Sequence, residues 1–126
     1  MSGFIAGSLS DDAAQLARNG WTVGSFFEKG SEESDRYTES LEVKYWEFAS
    51  GEGKSHSAKL SATTEWTYII SGELHSEVGD KRVVLGAGDY ILIHPGVPNN
   101  LVAEVVRDTK AITVKAPSDP AAKKII

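Results

Sequence analysis

Short runs rich in Val, Ile, Thr, Trp and Tyr recur from Trp21 onward, and clusters of Gly, Ser, Asp and Pro separate them. The first group of residues favours strands and the second favours turns. Strands this short and this regularly spaced predict an all-β sandwich or barrel. Gly79 predicts a hairpin turn at residues 78–81, because glycine readily adopts the positive φ that such turns need. The predicted strand runs are residues 21–28, 41–48, 66–78, 81–85, 89–93, 101–106 and 110–116.

One short helix is predicted before the strands begin. Ser10 is its candidate N-cap, and Asp11 and Asp12 follow in the first turn, where the helix dipole favours negative charge. Asn19 and Gly20 form a stop signal. The segment is short and rich in alanine, so we expect it to pack as an arm or lid outside the core.

The length of 126 residues suits one domain with one hydrophobic core. We predict an N-terminal arm at residues 1–20, a barrel at 21–118 and a C-terminal tail at 119–126, since prolines near the end cannot continue a central strand. Hydrophobic residues make up 40% of the chain and charged residues 25%, which is typical of a folded globular protein.

The net charge of −5 disfavours nucleic acid and anionic membranes as partners, because both require a basic surface. The absence of cysteine excludes disulfides, thiolate catalysis and cysteine-based zinc sites. No segment approaches the ~20 apolar residues of a membrane span, and the N-terminus lacks the pattern of a signal peptide. The expected location is the cytoplasm.

Two blocks, "EWTYIISG" beginning at Glu65 and "GDYILIHPGVPNN" ending at Asn100, resemble the paired motifs of the cupin superfamily. The resemblance implies a single all-β cupin domain, a conical β-barrel or jelly roll, with the short N-terminal helix beside it. The runs "EVKYWEF", "GDYILIHPGV" and "ITVKAPS" are similar to small stand-alone bacterial cupin-like proteins, most of which have no assigned activity. The superfamily commonly pairs its barrels, so the resemblance also implies a homodimer.

The resemblance assigns four positions to the metal ligands of the superfamily. Metal-binding members have His, His, Glu and His where this chain has Lys59, Ser61, Glu65 and Asn99. Imidazole suits transition metals, whereas a lysine puts a positive charge at the place of the cation. We therefore expect a degenerate metal site and predict no cofactor.

The histidines of this chain offer an alternative to that interpretation. His56 precedes Lys59 by three positions, and His94 stands where the superfamily usually has a proline. A divalent transition metal would then be bound by His56, Glu65, His94 and Asn99. The sequence leaves open whether His94 lies on the same face of the sheet as Glu65.

In a metal-free barrel, the predicted ligand-binding residues are Lys59, Ser61, Glu65, Asn99 and Trp46. Trp46 equally suits the core or a dimer interface. Strand alternation places it on one face with residues 44 and 48, while residues 43, 45 and 47 take the other, and only one of these sets can line a cavity. The alternative for Glu65 and Lys59 is an ion pair with a purely structural role.

Three functional hypotheses follow from these residues. The first is a metal-free barrel that binds a small molecule. The second is an enzyme, and it has two forms. One is a metal-free isomerase or epimerase, in which Glu65 and His94 are the catalytic base and acid and Lys59 stabilises a developing negative charge. The other is a metal-dependent dioxygenase or lyase. The third is a dimeric structural or regulatory module.

Overall fold

The computed structural model describes residues 3–15, 18–27, 34–53, 59–119 and 123–125, with the backbone alone at residues 34 and 123–125. The described part contains one short helix, one 3₁₀ turn and eight strands. They are α1 (Leu9–Ala13), β1 (Trp21–Val23), the 3₁₀ turn Ser34–Arg36, β2 (Glu42–Phe48), β3 (Lys59–Ser61), β4 (Thr64–Val78), β5 (Lys81–Gly86), β6 (Tyr90–Ile93), β7 (Asn99–Ala116) and β8 (Lys123–Ile125).

The two longest strands, β4 and β7, form the frame of the fold. They pair antiparallel from Thr64 opposite Ala116 to Val78 opposite Asn99. At one end of this pair β7 is flanked by β2 and β4 by β6, and at the other end β7 is flanked by β3 and β4 by β5. The first half-sheet therefore has the order β1-β2-β7-β4-β6, and the second has the order β8-β3-β7-β4-β5.

The frame changes direction at Gly72, between the two half-sheets. The β4–β7 register is irregular between Ile69 and Leu74, and Gly72 has a φ of 95°. A Cβ atom at this position would collide with the carbonyl oxygen of Asp108 on β7. Glycine is required here because both the backbone angle and the close approach exclude a side chain.

The hydrophobic core lies between the two half-sheets. Ile69 and Leu74, on either side of the bend, are fully buried, and Ile93 on β6 packs in the same cluster as Leu85 on β5. Because one cluster joins strands from both half-sheets, the protein is a jelly roll around a single core. The all-β prediction is confirmed. None of the described helices has the length and apolar character that crossing a membrane requires.

The ends of the chain depart from the sequence-based expectations. Helix α1 is capped by Ser8 and not by Ser10, because the Ser8 hydroxyl accepts the N–H of Asp11 at 3.4 Å. The two last predicted strand runs are one strand, β7. Strand β8 lies within the predicted tail and pairs with β3, so residues 123–125 extend the second half-sheet. The arm, barrel and tail boundaries stay predictions.

Candidate functional site

A cavity of about 160 Å³ lies among β2, β3, β4 and β7. An apolar cavity of about 150 Å³ is large enough to bind one benzene molecule. The volume therefore suits a small organic molecule. The described residues that line the cavity are Trp21, Lys44, Trp46, Phe48, Lys59, Glu65, Asn100, Leu101, Val102, Thr113 and Lys115.

The lining residues on β2 and on the C-terminal part of β7 come from alternate positions of two neighbouring strands. On β2, Lys44 and Trp46 face the cavity together with Phe48, which selects one of the two sets that alternation allowed. On β7, Thr113 and Lys115 face the cavity, and Thr113 is the cross-strand partner of Lys44. The register between these strands thus brings two lysines onto the same wall.

A buried ion cluster forms one end of the cavity. The side chain of Glu65 is 2% exposed, and Lys59 Nζ lies 3.1 Å from its Oε1 and 3.2 Å from its Oε2. Lys115 Nζ lies 3.7 Å from the same Oε1 atom. A buried carboxylate requires a compensating charge, and here two ammonium groups share one carboxylate.

A rigid aromatic wall stands beside this cluster. The indole N–H of Trp46 donates to Thr113 Oγ1 at 2.9 Å, and the Thr113 hydroxyl hydrogen bonds with the Thr67 hydroxyl at 2.8 Å. The Phe48 ring packs edge-on against Trp46 with centroids 5.2 Å apart. These contacts fix the orientation of the indole ring beside the ion cluster.

Three of the residues predicted from the sequence meet at this cavity: Lys59, Glu65 and Trp46. Ser61 is buried, but its hydroxyl hydrogen bonds with the Thr63 hydroxyl at 2.7 Å, and Ser61 is not a lining residue. The ligand-binding prediction for Ser61 therefore has no supporting contact.

Asn99 and His94 are not among the residues that line the cavity. The side chain of Asn99 is buried and donates from Nδ2 to the Val97 carbonyl at 3.1 Å, and its Oδ1 atom accepts no hydrogen bond from the described residues. His94 is exposed and follows β6. Glu65 is the cross-strand partner of the buried Ile93. Because side chains alternate along a strand, His94 lies on the opposite side of the sheet from Ile93. The structure therefore does not bring Glu65 and His94 together as a catalytic pair.

The described side chains do not fit a metal ion at the four superfamily positions. Lys59 contacts both oxygens of Glu65, so an ammonium group occupies the place where a cation would bind that carboxylate. No three His, Cys, Asp or Glu side chains converge within the described ranges. His56, the remaining ligand of the alternative metal site, lies outside those ranges.

Sequence reasoning missed Lys115 as a site residue. In the sequence it alternates with apolar residues, Ile112 and Val114, a pattern that predicts Thr113 and Lys115 on the solvent side. The structure has the reverse arrangement. Lys115 is the partner of Glu65 across the β4–β7 ladder, so it faces the same side as Glu65. Placing Glu65 inward would have found Lys115 only with this register, which the sequence does not contain.

The fold agrees with the comparison to known families. A model of the cupin domain family matches residues 44–115, more than half of the chain. The protein therefore belongs to the cupin family. A search of the curated proteins finds no match.

Solved cupin structures share the fold at low sequence identity. The DMSP lyase DddQ from Ruegeria pomeroyi is 19% identical with a TM-score of 0.62, over 75% of this chain and 47% of DddQ. An RmlC-like cupin from Shewanella frigidimarina is 22% identical with a TM-score of 0.58, over 66% of this chain and 71% of that one. Pac13 from Streptomyces, a nucleoside dehydratase, is 15% identical with a TM-score of 0.59, over 71% of this chain and 70% of its own. This chain thus spans less than half of DddQ, and the likeness at these identities is one of fold.

The ion cluster predicts an unequal response to two Glu→Gln substitutions. Glu65→Gln leaves two buried ammonium groups without their carboxylate and should lower the free energy of unfolding by about 3 kcal/mol or more. The control is Glu104→Gln, which removes a pair with Arg82 between side chains that are about half exposed and should lower it by less than about 1 kcal/mol. Urea denaturation followed by tryptophan fluorescence measures both losses. Equal losses would show that Glu65 is not the buried centre of the cluster.

Proposed function

We propose that the protein is a metal-free cupin that binds a small organic molecule in the cavity between β2, β4 and β7. The observation that carries this proposal is the convergence of Glu65, Lys59 and Lys115 beside a fixed aromatic wall in one cavity. Ligand sites typically combine apolar walls with a few polar groups that orient the ligand. The ion cluster and the Trp46 wall supply these two elements.

The metal-free part of the proposal rests on Lys59. Its ammonium neutralises the Glu65 carboxylate that metal-binding cupins offer to the metal, so a divalent cation would have to displace a buried, charge-assisted hydrogen bond to bind. The proposed site therefore consists of Lys59, Glu65, Lys115 and Trp46, and the roles predicted for Ser61 and Asn99 are not part of it.

An acid–base enzyme on the same residues is the second candidate. Glu65 and Lys115 line one cavity with 3.7 Å between Oε1 and Nζ, so a carboxylate base and an ammonium acid are both within reach of a bound molecule. DddQ and Pac13 are enzymes, a lyase and a dehydratase, which supports catalysis on this scaffold as a proposal for this chain. His94 takes no part in this version, because it lies outside the cavity lining.

Occlusion of the cavity tests the binding proposal. Val102→Phe adds a ring to a buried lining residue and should abolish saturation-transfer NMR signals from a panel of neutral and charged fragments of benzene size. The matched control is Val84→Phe on β5, which enlarges a side chain that is 57% exposed and should leave the signals intact. Circular dichroism melting verifies that both variants fold. Fragments that bind wild type and Val102→Phe equally, or a panel with no binder to wild type, would overturn the proposal.

The outer face of the first half-sheet supports a further part of the proposal, a homodimer. Trp66 stacks near Tyr68 and Tyr90, with centroids 6.1 and 6.4 Å apart, and Tyr90 and Leu92 are 65% and 47% exposed. Among the described strands, β6 pairs only with β4, so its other edge is open. An apolar face beside an open strand edge favours association with a second copy.

A charge on this face should dissociate such a dimer. Leu92→Lys introduces two like charges across a two-fold interface and should shift the mass measured by light scattering during size exclusion from dimer to monomer at micromolar concentration. Val84→Lys adds the same charge on the second half-sheet and should leave the dimer intact. A monomeric wild type, or a dimer that survives Leu92→Lys, would contradict the assignment of this face.

A further inference from the structure

The charge of the cavity lining is opposite in sign to the charge of the protein. The chain carries a net charge of −5, yet the described lining residues include three lysines, Lys44, Lys59 and Lys115, and a single carboxylate, Glu65. A concentration of one sign of charge in a concave, partly apolar site attracts ligands of the opposite sign. The lining thus favours an anion over a neutral or cationic ligand.

The excess of positive charge persists when Glu42, a buried carboxylate beside Lys115 in the sheet, is counted. Glu42 is the cross-strand partner of Lys115 and is buried. Its Oε2 accepts a hydrogen bond from the Ser118 hydroxyl at 3.3 Å, and Glu42 is not among the lining residues. Among the described residues around the cavity, three lysines against these two carboxylates leave an excess of positive charge.

The geometry of the lysines indicates which of them meet the ligand. Lys59 contacts both oxygens of Glu65, whereas Lys115 makes a longer contact of 3.7 Å to one of them. Lys44 pairs across the ladder with Thr113, two positions from Lys115 on the same face, and lies 5.2 Å over the Trp21 ring. Side chains at such diagonal positions start about 7–8 Å apart, a gap that two long lysines can close around one carboxylate.

The rest of the lining is suited to a short apolar tail. Trp46, Phe48, Leu101 and Val102 supply apolar surface to the same cavity. The volume of about 160 Å³ limits the tail to a few carbons or one aromatic ring.

We propose that the cavity selects small organic carboxylates, with the carboxylate held by Lys115 and Lys44 and the apolar tail against Trp46. This inference rests on the proposed function, because it names the ligand class of the same site. Lys59 and Glu65 then act as a fixed, internally neutralised pair that keeps Lys115 in place.

The experiment compares carboxylates with their neutral amides of nearly equal shape: butyrate with butyramide, and benzoate with benzamide. Indole N–H resonances in ¹H–¹⁵N spectra report binding, with the Trp46 signal assigned by its loss in Trp46→Phe. Each carboxylate should bind at least tenfold more tightly than its amide, since a charge-assisted hydrogen bond is worth about tenfold or more in affinity. Butyrate should bind more tightly than acetate by about fourfold for each added methylene.

A substitution series identifies the charge that matters. Lys115→Met retains the aliphatic stem and should remove the preference for carboxylate over amide. Lys115→Arg should restore this preference. Lys110→Met is the matched control, because Lys110 is on the same strand, about half exposed and paired with Glu47 at 3.8 Å. That variant should bind every probe as wild type does.

The possible outcomes separate this inference from the proposed function. Amides that bind as tightly as carboxylates would overturn the anion inference and leave the binding cavity standing. The absence of binding by any of the probes would also overturn it, while the fragment panel with Val102→Phe decides on the cavity itself. If Lys115→Met does not fold, the carboxylate-to-amide ratio in wild type still gives the answer.

Discussion

The burial of one carboxylate constrains the rest of the site. Glu65 is almost completely removed from water, and an unpaired carboxylate in that position would be strongly unfavourable. A cupin can meet this constraint with a metal ion. In this chain two lysines meet it, Lys59 on β3 and Lys115 on β7. Strand β7 pairs with both β3 and β4, so the site and the barrel are stabilised by the same contacts.

The first half-sheet has its polar residues inside and several of its aromatic residues outside. On β4, Glu65 and Thr67 face the interior of the barrel, while Trp66 between them faces outward. The interior polarity creates a site that can recognise charge, and the exterior apolarity creates a surface suited to a second subunit. The proposed ligand binding and the proposed association would therefore both follow from one inverted strand pattern.

The sequence predicted the strand-rich fold, the hairpin at Gly79 and the contact between Lys59 and Glu65, because each depends on local composition or on motif spacing. Strand alternation showed that either the face of β2 with Trp46 or the opposite face lines the cavity. The structure was needed to choose between these two faces. The roles of Lys115 and His94 depend on how β7 and β6 pair with β4. Strand register across the sheet is set by tertiary packing, and a single sequence does not contain it. The N-cap at Ser8 differs from the expected Ser10 for a similar reason, since several serines compete for one helix end.

The central claim is that the ammonium of Lys59 stands in place of a metal ion. Its most direct test is the metal content of untagged protein, produced with Fe, Mn, Ni, Cu and Zn in the growth medium and purified without chelator, measured by inductively coupled plasma mass spectrometry. The account predicts far less than one equivalent of any metal in wild type, and no change in His56→Ala or Glu65→Gln. One equivalent of a single metal in wild type that disappears in either variant would contradict it.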